Sequence, residues 1–209
     1  MFGPPGSGKG TYASRLSAKL NIPHISTGDL VREEIKNQTE LGKRISGYSA
    51  QGKLVPDSTI CQLLQKRISQ ADCAMGFILD GFPRTIPQAQ ELQKITISDL
   101  IINLDVSDDV IVHRLSTRLT CKNCGAIYNE RTLKPRIDGK CDKCQGQVYK
   151  REDDQPNVIQ ERLQVYKKQT QPLLEYYQQK HQIRNVTNSQ PDIPPEIIVE
   201  EIMNLIQTK

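Results

Sequence analysis

The chain has 209 residues, of which 36% are hydrophobic, which is enough for one α/β core that carries a small insertion. Its net charge of +4 comes from 28 Lys and Arg against 24 Asp and Glu spread along the sequence, unlike the basic stripe of a nucleic-acid-binding protein. No apolar run approaches the ~20 residues that span a bilayer, and the N-terminus enters a glycine-rich loop where a signal peptide would have its apolar segment. We therefore expect a cytoplasmic protein with neither nucleic acid nor a membrane as partner.

A glycine-rich loop opens the chain, and residues 3–11 read Gly-Pro-Pro-Gly-Ser-Gly-Lys-Gly-Thr. They contain the G-x-x-x-x-G-K pattern, in which backbone N–H groups surround phosphates and the lysine reaches the terminal ones. The candidate phosphate-binding residues are Gly6, Ser7, Gly8, Lys9, Gly10 and Thr11. Because Gly10 stands at the usual Ser/Thr position, we expect Mg²⁺ to be held largely by phosphates, water and Asp80. A glycine-rich turn before a helix is the structural alternative.

Alternating strand and helix patterns follow the loop. Short apolar runs that end in aspartate, at 76–80 and 100–105, predict buried parallel strands that bring polar residues to one edge of a sheet, where ligands bind. Helical periodicity is found at 8–20, 60–70, 87–94 and 109–119. Residues 157–177 and 195–206 predict helices around a short strand at 183–186. The alternation predicts a doubly wound α/β fold.

The segment from 120 to 154 departs from this pattern, because cysteines, glycines and lysines replace the helical period and mark an inserted lobe. Of the six cysteines, four have the spacing C-x₂-C-x₁₆-C-x₂-C of a tetrahedral zinc site, namely Cys121, Cys124, Cys141 and Cys144. Four thiolates leave no open position, so we expect a structural Zn²⁺, with iron as the alternative ion. A nucleic-acid-binding ribbon or a redox switch is the alternative function, and the lobe offers it few aromatic residues beyond Tyr128 and Tyr149.

Further segments carry a family resemblance: HISTGDL at 24–30, GKLVPD at 52–57, DGFPR at 80–84 and REDD at 151–154. In their order and spacing, together with the loop and the four cysteines, they resemble the long, lid-bearing bacterial adenylate kinases. The resemblance implies a P-loop nucleoside monophosphate kinase fold, a parallel sheet flanked by helices with a small zinc-binding lid. It implies reversible phosphoryl transfer from MgATP to AMP, giving two ADP, with a core of 1–25, 56–119 and 155–209, an AMP-binding lobe of 26–55 and a lid of 120–154.

The resemblance also implies roles for individual residues. The AMP site would contain Thr27, Arg32, Lys53, Leu54, Val55, Gly81, Phe82, Pro83, Arg84, Gln88, Arg151 and Arg162. The ATP site would add to the glycine loop Arg114, Arg118, Ile127, Tyr128 and Gln190. The catalytic cations would be Lys9, Arg84, Arg118, Arg151 and Arg162. Such a cationic set suits phosphoryl transfer, which depends on positioning and charge stabilisation.

Structural interpretations compete with several of these roles. Arg114 and Arg118 are four apart in a predicted helix, a spacing that a solvated surface pair also explains. In the family Asp153 and Asp154 pair with arginines as the lid closes, whereas a surface acidic pair is the alternative. An anionic phosphate acceptor needs no general base. The three histidines, His24, His113 and His181, are accordingly expected to be structural, outside any pairing with a carboxylate.

The start of the chain conflicts with the expected fold, because the loop of this fold follows a buried central strand of about five residues. Here only Met1 and Phe2 precede Gly3. We therefore expect backbone N–H and C=O groups of the neighbouring strands to lack hydrogen-bond partners, at a cost of ~1–3 kcal/mol for each buried group, and the fold to be weakened.

Two rival functions remain, a kinase for UMP, CMP or GMP and a nucleotide-sensing zinc protein without turnover. Gln88 and residues 53–55 favour AMP, and the arginines favour turnover. We expect a monomer.

Overall fold

The computed structural model describes residues 1–179, 183–188 and 190–207. Two pairs of parallel strands form its centre: β1 (His24–Ser26) pairs with β2 (Ile78–Asp80), and β3 (Ile101–Asp105) pairs with β7 (Ile183–Thr187). Met1 and Phe2 lie between the pairs. The amino group of Met1 donates to the Leu79 carbonyl at 2.7 Å, and Phe2 bonds through its backbone to Ile102 and Leu104 at 2.7 and 3.0 Å. The strands predicted at 76–80, 100–105 and 183–186 correspond to β2, β3 and β7. The expected weakening of the fold by the short N-terminal segment stays a prediction.

Helices pack on both faces of these strands. They are α1 (Lys9–Leu20), α4 (Asp57–Ile68), α5 (Ile86–Ile95), α6 (Asp108–Ser116), α7 (Pro156–Val165), α8 (Pro172–Gln178) and α9 (Pro195–Gln207). Successive side chains of β3 point to opposite faces. Ile102 and Leu104 join one core cluster with residues of α1, α6 and α9, whereas Ile101 packs with Leu173 and Tyr177 of α8. The doubly wound α/β architecture is confirmed. Within the described ranges, no helix is long and apolar enough to cross a membrane.

A helical lobe follows β1 and consists of α2 (Thr27–Lys36) and α3 (Glu40–Ala50). Ser26 caps α2 by accepting from the Asp29 N–H at 3.3 Å, and Thr39 caps α3 by accepting from the Gly42 N–H at 2.9 Å. At Gly42 a Cβ atom would lie 2.1 Å from the Glu34 carbonyl oxygen, so the two helices approach closely only because this residue has no side chain. The lobe borders the C-terminal ends of β1 and β2.

The second lobe is an antiparallel sheet of β4 (Arg118–Cys121), β5 (Ile127–Asn129) and β6 (Val148–Tyr149), in the order β5-β4-β6. It begins at Arg118, so the prediction of a helix through residue 119, with Arg114 and Arg118 on one face, was wrong. The helix ends at Ser116, the Thr117 hydroxyl donates to the His113 carbonyl at 2.8 Å, and Arg118 pairs with Asn129 of β5. Arg118 therefore belongs to the lid sheet.

Residues 157–177 are helical as predicted, and a wide helical turn over Tyr166–Thr170 joins α7 to α8. The Gln171 N–H donates to the Tyr166 carbonyl at 2.9 Å, which spans five residues instead of four. The next residue, Pro172, has no N–H to continue an ordinary helical ladder. The helical period alone did not reveal this break.

Candidate active site

The glycine loop folds around the ammonium group of Lys9. Its Nζ donates to the carbonyls of Gly3 and Pro4 at 2.8 and 2.7 Å and lies 3.4 Å from the Ser7 hydroxyl. Gly8 has a φ of 101°, and a Cβ atom there would meet the Tyr12 ring at 2.6 Å. Among the described residues no side chain caps the start of α1. The helix terminus that follows the loop can therefore receive an anion.

Lys9 is partly buried and lies near several positive charges. Burial lowers the pKa of Lys9 to about 8, Asp80 opposes the shift, and the guanidinium groups of Arg84, Arg162 and Arg118 add to it. The charged form of Lys9 is thereby disfavoured, and a phosphate bound beside it would stabilise that form and raise the pKa. The electrostatics of the loop thus favour an anionic ligand.

Asp80, at the end of β2, faces the loop and is 8% exposed. Burial raises the pKa of Asp80, but the His24 ring and the Lys9 ammonium group outweigh it and lower the pKa to about 2. Its Oδ2 atom lies 3.4 Å from His24 Nε2, so the prediction that no histidine pairs with a carboxylate was wrong for His24. Parallel pairing of β1 with β2 places the two side chains on the same face of the ladder. Of the other histidines, His113 contacts Arg131 at 3.2 Å, and His181 lies outside the described residues.

Two arginines converge on Asp154, whose residue exposure is 1%. Arg118 binds it through two hydrogen bonds, Nε to Oδ2 at 2.8 Å and Nη2 to Oδ1 at 2.6 Å, and Arg162 reaches Oδ1 at 3.2 Å. Arg162 also lies 3.0 Å from Oδ2 of Asp153. The predicted pairing of both aspartates with arginines is confirmed, and a surface interpretation of Asp154 was wrong.

The remaining arginines add positive charge that these carboxylates do not balance. Arg151 is 6% exposed and donates to Thr120 Oγ1 at 2.8 Å, and burial, with Arg118 and Arg32 nearby, lowers the pKa of Arg151 to about 9. Burial also lowers the pKa of Arg162 to about 10, against the opposing effect of Asp153. Arg84 donates from Nε to the Gly81 carbonyl at 2.7 Å, and burial lowers its pKa as well. Buried cations in excess are a site for a polyanion.

Lys9, Asp80, Asp153 and these arginines border one cleft of 1820 Å³ between the loop, the helical lobe and the antiparallel lobe. Its volume exceeds the roughly 300–1,000 Å³ typical of a site for one small molecule. Most of the predicted site residues line the cleft, including Lys53, Leu54 and Val55. Three of the predicted nucleotide-site residues do not: Ser7 is fully buried beneath the loop, Phe82 packs in the core with Ile25 and Leu64, and Gln190 contributes its carbonyl to Arg114 Nη2 at 2.8 Å.

On the lobe side of the cleft, polar side chains form a connected network. The Thr27 hydroxyl donates to the Gly81 carbonyl at 2.7 Å, and Arg32 pairs with Asp29. Gln88, 2% exposed, accepts from the Arg84 N–H at 2.7 Å and donates from Nε2 to Asp57 Oδ1 at 2.6 Å. Asp57 had no predicted role, although it ends the GKLVPD segment and starts α4. Its contact with Gln88 bridges segments 31 residues apart, which local sequence patterns do not reveal.

On the opposite side, Arg114 donates to the carbonyls of Gln190 and Pro191 and so joins α6 to the segment after β7. Tyr12 accepts from Asn188 Nδ2 at 2.7 Å, a contact that the sequence did not predict. Ile127 reaches the loop, where a Cβ atom on Gly10 would lie 3.3 Å from its Cδ1 atom. The Tyr128 side chain instead points into the cysteine cluster and is 6% exposed.

The four predicted cysteines lie together, with all Sγ atoms within 4.8 Å of one another. Cys121 and Cys144 are 3.4 Å apart, and Cys124 and Cys141 are 3.5 Å apart. A tetrahedron with Zn–S bonds of about 2.3 Å has S–S edges of about 3.8 Å, so the cluster is close to the size that zinc requires. The Tyr128 hydroxyl lies 3.3 Å from Cys141 Sγ and accepts from the Asp142 N–H at 2.7 Å, which holds one ligand in place. The residues present fit a closed metal site.

Buried cations around a phosphate loop bind nucleoside phosphates, and the surrounding parallel α/β fold with two lobes is that of the P-loop nucleoside monophosphate kinases. Residues 1–182 match the adenylate kinase family, and the chain belongs to that family. It is 46% identical over 212 residues to the adenylate kinase of Thermosipho africanus, covering 99% of this chain and 98% of that protein. It is 49% identical over 185 residues to that of Caldicellulosiruptor saccharolyticus, covering 86% of each, and 49% identical over 186 residues to that of Methanocella arvoryzae, covering 87% of this chain and 86% of that protein. The reaction is phosphoryl transfer from ATP to AMP, giving two ADP.

Proposed function

We propose that ATP lies over the glycine loop and AMP lies against the helical lobe, so that the transferred phosphoryl group passes through the cationic set. The observation that carries this arrangement is the convergence of five cations on one cleft, where Arg151 is buried and Lys9, Arg84, Arg118 and Arg162 are partly buried. Lys9 and Arg118 hold the donor phosphates, and Arg84 holds the acceptor phosphate. Arg151 and Arg162 lie over the group in transfer and complete the cage.

These cations act by position and charge. Negative charge spreads over the transferred group's oxygens, and fixed guanidinium groups stabilise it with little reorganisation. Asp153 and Asp154 serve as counter-ions that keep Arg118 and Arg162 oriented toward the cleft. No side chain has to remove a proton, because the acceptor is already an anionic phosphate oxygen.

The remaining contacts distinguish the two nucleotides. On the donor side, Arg114, the backbone near Ile127 and Tyr128, and the Gln190 carbonyl form the adenine site. On the acceptor side, Gln88 hydrogen-bonds to the adenine base and residues 53–55 form the pocket for that base. Thr27 and Arg32 contact the rest of the nucleotide. Gly81 and Pro83 shape the turn that presents Arg84. Phe82 supports this turn from the core.

Two metal ions belong to this proposal. Asp80 fits a Mg²⁺ site, because its carboxylate stays ionised at the loop, and it would hold the ion together with phosphates and water. When bound, Mg²⁺ neutralises charge on the phosphates. The four cysteines would hold Zn²⁺, which supplies a cross-link in a lobe with a small apolar core.

The proposed domains are a core of 1–25, 56–119 and 155–209, an AMP-binding lobe of 26–55 and a lid of 120–154. Closing of the lid excludes water and so prevents hydrolysis of ATP. We further propose that the protein is a cytoplasmic monomer.

The first test is ADP formation from MgATP with AMP, CMP, UMP or GMP as acceptor. Turnover confined to AMP supports the assignment of the acceptor pocket, and faster turnover with another monophosphate contradicts it.

In parallel, Arg84→Ala should lower kcat by about 100-fold or more with little change in ATP affinity, since removal of one stabilising donor has an effect of this size. Arg44→Ala, at an exposed position of α3, is the matched control. Unchanged turnover in Arg84→Ala would remove this residue from the cage.

A further inference from the structure

Gln88 is held between two groups of opposite hydrogen-bonding character. Its Oε1 atom accepts from the backbone N–H of Arg84 at 2.7 Å, and its Nε2 atom donates to Asp57 Oδ1 at 2.6 Å. The other carboxylate oxygen of Asp57 accepts from the Thr85 hydroxyl at 3.0 Å. Thr85 also caps α5 by accepting from the Gln88 N–H at 3.3 Å. The amide therefore sits in a rigid frame built from the starts of α4 and α5.

The frame determines which way the amide faces. A backbone N–H can only donate and an ionised carboxylate can only accept, whereas an amide flipped by 180° would oppose donor to donor and acceptor to acceptor. Each mismatch would leave a buried polar group unsatisfied. Gln88 borders the cleft, and one amide hydrogen and one oxygen lone pair are left for a ligand.

That fixed orientation has a chemical consequence for a purine. Adenine presents an amino donor beside a ring-nitrogen acceptor, which matches an amide oxygen and an amide N–H in one order. A 6-oxopurine presents an oxygen acceptor beside a ring N–H donor and needs the reverse order. An amide that can turn accepts both, and an amide that cannot turn rejects one.

We propose that Asp57 is a specificity-determining residue of the acceptor site: by fixing the amide of Gln88, it makes the site select a 6-aminopurine over a 6-oxopurine. This inference rests on the proposed contact of Gln88 with the acceptor base. Asp57 itself touches no substrate and acts as a positioning residue.

The test compares kcat/KM for AMP and IMP at saturating MgATP. AMP has a 6-amino group beside an unprotonated ring nitrogen, whereas IMP has a 6-oxo group beside a ring N–H. Asp57→Ala should lower the AMP:IMP ratio by about tenfold, the size expected when a hydrogen bond to a charged group is lost. Asp57→Asn should keep the ratio within about threefold of the parent, because its amide oxygen can still accept from Nε2. Glu91→Ala, which removes an exposed carboxylate from α5, should leave the ratio unchanged.

The outcomes separate the inference from its foundation. A loss of helix stability alone would lower both kcat/KM values and the melting temperature but leave the AMP:IMP ratio unchanged, and that result overturns the inference. Gln88→Met removes the amide while keeping its length. If this variant leaves kcat/KM for AMP unchanged, Gln88 does not contact the base, and the inference about Asp57 is overturned as well. If it lowers kcat/KM for AMP while Asp57→Ala keeps the ratio, the role of Asp57 alone is wrong.

Discussion

The carboxylate of Asp154 lies where the guanidinium groups of Arg118 and Arg162 meet. Its side chain is 0% exposed, whereas that of Asp153, which contacts Arg162 from the other side, is 16% exposed. Removal of one partner from a buried pair leaves an uncompensated charge, which costs about 3–5 kcal/mol, whereas a more exposed pair contributes about 1 kcal/mol or less. We therefore expect Asp154→Ala to lower the free energy of unfolding by about 3 kcal/mol and Asp153→Ala by about 1 kcal/mol. Denaturant unfolding of both variants measures this difference, and equal losses would contradict it.

Lys9 gives the enzyme a pH dependence. Since the pKa of Lys9 in the free protein is lowered to about 8, the side chain is protonated below that pH and loses its charge above it. kcat/KM for ATP reports ionisations of the free enzyme. This kcat/KM should therefore fall as the pH rises through about 8. In contrast, kcat at saturating ATP should stay constant to a higher pH, because bound phosphates raise the pKa of Lys9.

The matched variant is Lys9→Arg, whose guanidinium group stays charged across this range. Its kcat/KM should be lower throughout but flat between about pH 7 and pH 8.5, below the pKa of about 9 that burial gives Arg151. Profiles of both proteins with ATP as the varied substrate provide the measurement. A parent profile that is flat over that range, or a fall of the same size in the parent and the variant, would contradict the assignment to Lys9.

At the scale of elements, the antiparallel lobe depends on its cysteine cluster. The hydrophobic core cluster of this lobe has four buried residues, Cys121, Tyr128, Cys141 and Val148, and two of them are themselves predicted metal ligands. A structural zinc can supply about 10–16 kcal/mol to the folding of such a unit. Removal of the metal should therefore unfold the lobe while the sheet and its helices stay folded.

We expect about one zinc per chain by elemental analysis, as for a Cys₄ site. Chelation should make residues 130–145 sensitive to protease and abolish turnover, with most of the helical circular dichroism retained. Cys144→Ser should reproduce the loss, and Cys61→Ser, outside the cluster, should not. A protein without bound metal whose lobe resists protease would refute a metal-dependent lobe.

At the scale of the whole molecule, the glycine loop is anchored by the packing of α1 against α9. Leu16 of α1 lies in one core cluster with Ile198 and Ile202 of α9, and Ile202 is 0% exposed. Truncation of a fully buried isoleucine to alanine costs about 2–5 kcal/mol. Ile202→Ala should therefore lower the free energy of unfolding by about 3 kcal/mol. Ile197→Ala, at a residue of the same helix that is 52% exposed, should change it by about 0.5 kcal/mol or less. Similar losses in the two variants, measured by denaturant unfolding, would contradict this account of the core.

Features whose chemistry depends on neighbours in the chain could be predicted from the sequence. The glycine loop needs a short run with Lys9 at its end, and the metal site needs two pairs of cysteines at tight-turn spacing, so both patterns are readable without a fold. The apolar runs before Asp80 and Asp105 likewise predicted β2 and β3, because buried parallel strands are apolar on both faces.

Contacts between distant segments could not be predicted in this way. The helical period through residue 119 gave no sign that Arg118 would leave α6 to pair with Asn129 in the lid sheet. His24 meets Asp80 because β1 and β2 pair in parallel, Arg118 meets Asp154 across 36 residues, and Asp57 meets Gln88 across 31. The amino-acid sequence thus specifies the chemical groups and the local turns that present them, since these depend on short-range geometry. Partners, burial and the resulting charge of each group are set by tertiary packing, because they depend on which distant segments the folded chain brings into contact.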